Sequence, residues 1–262
     1  MVAGRRMRWL EAGDAGSGRT LIWLHAFPLC ADMWRPQLDA APAGWRVIAP
    51  DLAGLGGTAD HEGPAGIADF AHDVVALADQ LGVQRFVLGG LSMGGYALFA
   101  CLRLDDARVQ GIVLADTKSG ADSPQAREGR QKMLDLVAAK GVAGVADEML
   151  PKLLGATTQR DLPGLVAHVR QLIESNTASG VARAIERLRD RPDSTPQLAR
   201  IAVPALVVVG EEDGITPVSD ARAMAGALPD ATLAILPRAG HLASIEAPEA
   251  FQAALAPWLA SL

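Results

Sequence analysis

The sequence predicts an α/β domain built on a largely parallel sheet. Three features carry this expectation. Short β-branched apolar runs recur along the chain, helical periodicity fills the intervals between them, and Gly, Pro or Asp marks the joins.

The runs cover residues 20–25, 45–50, 85–91, 109–115, 205–210 and 231–236. Continuous rather than alternating apolar character suits strands covered on both faces, as in a parallel sheet. Their brevity and Val/Ile content favour strand over buried helix. Between them, Phe70, Val74, Leu77, Ala78 and Leu81 fall on one helical face, and Gly82 supplies a stop, so a helix is expected over 67–81. Further helices are expected from Met93 to about Leu104, over 218–228 and over 248–259. Pro248 fits a first helical turn, where a missing N–H costs nothing.

Residues 117–199 break this rhythm. No strand-like run occurs there. Stripes such as Met133/Leu134/Val137, Met149/Leu150/Leu153/Leu154, Leu165/Val166/Val169/Leu172/Ile173 and Val181/Ile185/Leu188 mark amphipathic helices, punctuated by Pro124, Pro151, Pro163 and Pro192. A helical insertion between two sheet strands reads as a cap or lid on a core made of residues 1–116 and 200–262.

The 262 residues suffice for one sizeable α/β domain with such a lobe. A formal net charge of -6, a pI near 5.4 and scattered arginines argue against a nucleic-acid surface. No apolar run approaches the roughly 18 residues of a membrane span. Arg5, Arg6 and Arg8 are not followed by an apolar stretch of signal-peptide length, so a cytoplasmic protein is expected. Cys30 and Cys101 read as two buried thiols rather than a bridge, and neither lies in a metal-spaced cluster, so no zinc site is expected.

The segment Arg85-Phe-Val-Leu-Gly-Gly-Leu-Ser-Met-Gly-Gly-Tyr96 carries the chemistry. Gly90-Leu91-Ser92-Met93-Gly94 matches Gly-x-Ser-x-Gly between an apolar strand and a helix. A serine at such a sharp turn is held in a strained conformation that exposes its hydroxyl, and small neighbours let strand and helix approach. The helix N-terminus offers free N–H groups to a developing oxyanion.

A serine hydroxyl needs a base. Of His25, His61, His72, His168 and His241, the last stands in Pro237-Arg-Ala-Gly-His-Leu242, after a strand and before the final helix. In a parallel sheet that loop opens on the same edge as the Ser92 turn. His168 reads as a polar-face residue of the insertion, His72 as a surface pair with Asp73, and His61 as part of a polar loop. The base in turn needs an acceptor to fix its tautomer. Asp213, at the end of Val207-Val-Val-Gly-Glu-Glu-Asp213, is the leading candidate; Glu211 and Glu212 are adjacent competitors, and Asp116 ends an earlier strand. For the oxyanion, the candidate donors are the backbone N–H of Met93 and that of Phe27 in His25-Ala-Phe-Pro-Leu29, where Pro28 has none to give.

These motifs, with Gly210-Glu-Glu-Asp213, Gly240-His241 and Asp51-Leu-Ala-Gly-Leu-Gly-Gly-Thr58, resemble the α/β-hydrolase superfamily from the strand at Thr20 to the final helix. The chain order Ser, Asp, His agrees with that fold's triads. His25-Ala-Phe departs from the family's usual His-Gly, and Ser92 stands where a dehalogenase would carry a carboxylate. Within the superfamily the chain is similar to small bacterial carboxylesterases, cofactor-free haloperoxidase (perhydrolase)-type enzymes and enol-lactonases. The resemblance implies an α/β-hydrolase fold with a helical cap. It also implies hydrolysis of a small, largely apolar carboxylic ester or lactone through an acyl-enzyme on Ser92, without metal or organic cofactor. Enol-lactone opening, C–C bond hydrolysis and perhydrolysis are alternatives on the same triad, and a non-catalytic ligand-binding member is a further one.

Overall fold

A computed structural model describes residues 1–104 and 107–262. One sheet contains β1 (Trp9–Gly13), β2 (Thr20–Leu24), β3 (Arg46–Pro50), β4 (Phe86–Leu91), β5 (Val109–Ala115), β6 (Ala205–Gly210) and β7 (Ala231–Leu236). Their spatial order is β1-β3-β2-β4-β5-β6-β7. All neighbours from β3 to β7 pair in parallel, and β1 closes one edge antiparallel to β3.

Six strands coincide with the predicted runs to within a residue at each end. Every residue of β2, β4 and β6 is buried, which explains their unbroken apolar character. The sequence reading did not anticipate β1. Its residues, Trp-Leu-Glu-Ala-Gly, are all at least partly exposed, as suits an edge strand that pairs without entering the core.

The helices, in chain order, are α1 (Arg35–Asp39), α2 (Ile67–Gln80), α3 (Met93–Leu102), α4 (Pro124–Leu153), α5 (Ala156–Asp161), α6 (Pro163–Glu174), α7 (Ala178–Arg189), α8 (Val218–Ala227), α9 (Ala243–Glu246) and α10 (Pro248–Ala260). Successive strand residues point to opposite faces and so feed two apolar layers. Ile22 and Leu24 of β2 join Phe70 of α2, Phe99 of α3 and Met224 of α8. Leu21 and Trp23 join Trp34 and Phe251 of α10, with the Trp23 and Trp34 rings stacked 4.4 Å apart.

The segment between β5 and β6 is helical, α4 to α7, followed by a 3₁₀ turn at Thr195–Arg200. Pro124 and Pro163 open α4 and α6, while Pro151 lies in the last turn of α4. Gly141, at φ 62° and ψ -161°, kinks α4 into two parts. The predicted stripes face inward: Val137, Leu150, Leu153, Val169, Ile173, Val181, Ile185 and Leu188 are all buried. Among the described residues no helix is long and apolar enough to cross a membrane. Cys30 and Cys101 are buried thiols, and burial pushes the Cys30 thiol up to about 11.

Strand order fixes where a ligand can sit. After β2 the chain moves to β3 on one side, and after β4 it moves to β5 on the other. The loops leaving these adjacent strands therefore diverge, opening a crevice beyond their carboxyl ends. Phe27 follows β2 and Ser92 follows β4.

Candidate active site

Ser92 sits between β4 and α3 at φ 55° and ψ -111°. A β-carbon makes this left-handed region unfavourable, at a cost of order 1–3 kcal/mol, so the surroundings must hold it. The Ser92 N–H donates to the Ala115 carbonyl at 3.0 Å, and Thr117 Oγ1 donates to the Ser92 carbonyl at 2.9 Å. Packing adds to these bonds. A Cβ on Gly94 would overlap the Leu24 carbonyl, and one on Gly90 would overlap the Gly94 backbone, so both positions require glycine.

The structure brings the three predicted side chains together. Ser92 Oγ lies 2.8 Å from His241 Nε2, and His241 Nδ1 lies 2.8 Å from Asp213 Oδ2. The residues are 9 %, 1 % and 5 % exposed, so the array is nearly dry. With the carboxylate as acceptor, Nδ1 carries the proton and Nε2 is left to accept from the serine hydroxyl. Burial alone would raise the Asp213 carboxyl. The His241 hydrogen bond and charge, followed by Thr216, outweigh burial and hold it below the ordinary carboxylate value.

The competing acids are engaged elsewhere. Glu211 is exposed, and Glu212 accepts the Thr157 N–H at 2.8 Å. Asp116 accepts the N–H groups of Gly210 at 2.8 Å and Ala243 at 3.1 Å, tying the end of β6 to the start of α9. Burial, then the Asp213 charge, pushes the Asp116 carboxyl well above its usual range despite those two donors.

Phe27 and Met93 are buried, and among the described residues neither backbone N–H donates a hydrogen bond. Two unengaged donors, one in the loop after β2 and one at the N-terminus of α3, suit a developing negative oxygen.

The remaining histidines lie outside the array. His25 is buried in the loop after β2, and His168 is exposed. The expected His72–Asp73 surface pair is corrected: His72 is exposed, whereas Asp73 is buried and shared between Arg5 and His61, the latter at 3.0 Å. A helix directs adjacent side chains roughly 100° apart, so neighbours in sequence point to different surroundings.

Sequence reasoning missed several supporting residues. Thr216 Oγ1 donates to Asp213 Oδ2 at 2.6 Å, while the Ile215 and Thr216 N–H groups donate to Oδ1 at 2.8 and 3.0 Å. An Asp with Thr three residues on is a local turn signal that could have been read. Asn176 gave no such signal. It donates to the Pro28 carbonyl at 2.8 Å and accepts from the Gly56 N–H at 2.7 Å, joining two loops remote from it in sequence. Among the described residues no group of three or more His, Cys, Asp or Glu is placed to hold a metal ion.

Comparison with known proteins agrees with this architecture. The chain is 37 % identical to a thermophilic esterase from Thermogutta terrifontis, with TM-score 0.93 over 98 % of this chain and 94 % of the other. It is 27 % identical to the enol-lactonase from Burkholderia xenovorans LB400, with TM-score 0.91 over 99 % and 98 % of the two chains. It is also 28 % identical over 236 residues to 3-oxoadipate enol-lactonase 2 of Acinetobacter baylyi, covering 90 % of this chain and 86 % of that protein. Residues 19–248 match the family model for the alpha/beta hydrolase fold, and the chain belongs to that family.

Proposed function

We propose that the protein is a serine hydrolase that cleaves small, largely apolar carboxylic esters through an acyl-enzyme on Ser92. One observation carries the reading: a continuous hydrogen-bonded line from Ser92 through His241 to Asp213, with both links at 2.8 Å.

In this mechanism Ser92 Oγ attacks the carbonyl carbon as His241 Nε2 takes its proton. The Met93 and Phe27 N–H groups hold the tetrahedral oxyanion. His241 then protonates the departing alcohol, leaving an ester on Ser92. Water enters, gives its proton to His241 and attacks the acyl carbon, and the acid leaves as Ser92 regains its proton. Asp213 stays ionised throughout and stabilises the imidazolium.

The helical segment from α4 to α7 acts as a cap over this site. Val137 and Val145 of α4 and Val181 and Ile185 of α7 share one apolar cluster with Phe27 and Met93, which favours an apolar acyl group. The 37 % identity to an esterase supports an ester substrate. The enol-lactonase relatives support a second reading, opening of a lactone, in which the leaving alcohol stays attached to the acyl group.

Incubation of intact protein with a fluorophosphonate tests the nucleophile. One adduct on Ser92, absent from Ser92→Ala, is expected, and unmodified wild-type protein would reject the assignment. Initial rates on matched nitrophenyl esters and enol-lactones then decide between the two substrates.

A further inference from the structure

Five residues beyond His241, at the end of α9, lies a buried carboxylate that the mechanism above does not use. Glu246 is 9 % exposed. Its Oε1 accepts the N–H groups of Gly240 and Leu242, each at 3.0 Å. These are the residues on either side of His241. Its Oε2 accepts the Gly155 N–H at 2.8 Å, from the junction between α4 and α5.

Two further contacts make that junction a tight joint. A Cβ on Gly155 would lie 2.9 Å from the Gly240 nitrogen, and one on Gly240 would overlap the Gly155 backbone. The helical segment thus touches the histidine loop backbone to backbone. Beside it, Glu212 accepts the Thr157 N–H at 2.8 Å. The same short junction is therefore bound by one carboxylate next to Asp213 in the chain and by another at the end of α9, five residues past His241.

We infer that Glu246 is a positioning residue that sets the His241 loop through one oxygen and ties the α4–α5 junction to it through the other. This rests on the triad reading given above. A buried acid accepting three backbone donors cannot be removed without leaving those donors unmet, since no other side chain among the described residues serves the N–H groups of Gly240, Leu242 or Gly155. A base displaced by about 1 Å can cost on the order of 10²-fold in rate. Asp116, which takes the Ala243 N–H at 3.1 Å, holds only the far side of the loop.

The two oxygens allow the two roles to be separated. In Glu246→Gln the amide oxygen can still accept from Gly240 and Leu242, but its NH₂ faces the Gly155 N–H, donor against donor. Glu246→Ala abolishes both contacts. The experiment measures kcat and KM of wild type and both variants on p-nitrophenyl butyrate, with fluorophosphonate labelling in parallel.

The expected result is a split. Glu246→Ala loses at least about tenfold in kcat and in labelling rate, whereas Glu246→Gln keeps kcat within about threefold and raises KM at least about threefold. If Glu246→Ala does not fold, Glu246→Gln decides alone: raised KM with retained kcat supports the inference, and unchanged KM overturns it. A labelled wild type whose two variants retain wild-type kcat and KM, or lose kcat equally, overturns it as well. Wild-type protein that takes no label overturns the nucleophile assignment and this inference together.

Discussion

His25 accepts the Leu52 backbone N–H on Nε2 at 2.9 Å, which leaves its proton on Nδ1, 3.0 Å from the Ala26 carbonyl. The ring thereby pins the loop after β2, which carries Phe27, to the loop after β3. Burial holds the imidazole below its ordinary pKa, with the nearby Asp51 charge offsetting only part of that effect. Protonation would set an Nε2–H against the Leu52 N–H.

The sign of the pH dependence follows. The unfolded chain binds a proton at His25 below about pH 6.5 and the folded chain does so only at lower pH, so stability falls as pH drops below that value. His25→Gln, which cannot titrate, should flatten this decline and lose about 1–3 kcal/mol at neutral pH. Melting temperatures recorded from about pH 7.5 to about pH 5 check it. An unchanged slope in the variant would place the titrating group elsewhere.

Thr216 offers a graded test of the acid. Its hydroxyl donates to Asp213 Oδ2, the same oxygen that His241 Nδ1 meets. Thr216→Val keeps the shape and removes one hydrogen bond to a charged group, worth about 1.5–3 kcal/mol. A fall in kcat of roughly 10-fold or more, with little change in KM, is expected. Asp213→Asn should cost about 10⁴-fold, because the amide no longer imposes the productive tautomer. Equal losses in the two variants would contradict the division between acid and support.

Gly94 tests the turn independently of chemistry. Gly94→Ala forces a methyl group into the Leu24 carbonyl at the end of β2, where backbone faces backbone. Such overpacking should destabilise by about 1–3 kcal/mol or more, and urea unfolding should show it. Gly120→Ala, where an added Cβ meets nothing within 4 Å, is the matched control. Similar unfolding midpoints for the two variants would show that the turn can relax.

The parts of this molecule visible in the sequence are those whose physics is local. A strand buried on both faces must be apolar throughout, so β2, β4 and β6 announced themselves, whereas β1, on an edge, had no such obligation. Ser92 was legible because a strained turn demands glycines at fixed spacing. Asp213 and His241 followed from their place after parallel strands. Glu246 and Asn176 were not legible. Each acts on backbone groups far away in the chain, Gly155 for one and Pro28 for the other, and no spacing rule encodes such a meeting. The His72–Asp73 expectation failed because the partners of Asp73 come from outside its helix, Arg5 from the N-terminal segment and His61 from the loop leading into α2.

Asp122, just before α4, ties the two ends of the helical segment to each other by receiving Arg191 Nη1, just after α7, at 2.7 Å and Arg130 Nε at 2.9 Å. Arg191 is itself buried, with its guanidinium 4.0 Å from the centre of the Tyr96 ring on α3. Burial would raise the Asp122 carboxyl, but the two arginines outweigh it and hold it below the ordinary carboxylate range. Because the folded pKa is depressed, the stabilisation is complete above the unfolded value, near 3.9, and disappears as pH falls through the lower folded value. Asp122→Ala should leave Arg191 buried and uncompensated, costing about 3–5 kcal/mol at neutral pH, and should lose that acid-side dependence. Denaturant titrations of wild type and variant at pH 7 and at about pH 3 measure both effects. A difference between the two proteins that is as large at the acid end as at neutrality would mean that Asp122 acts by packing rather than by charge.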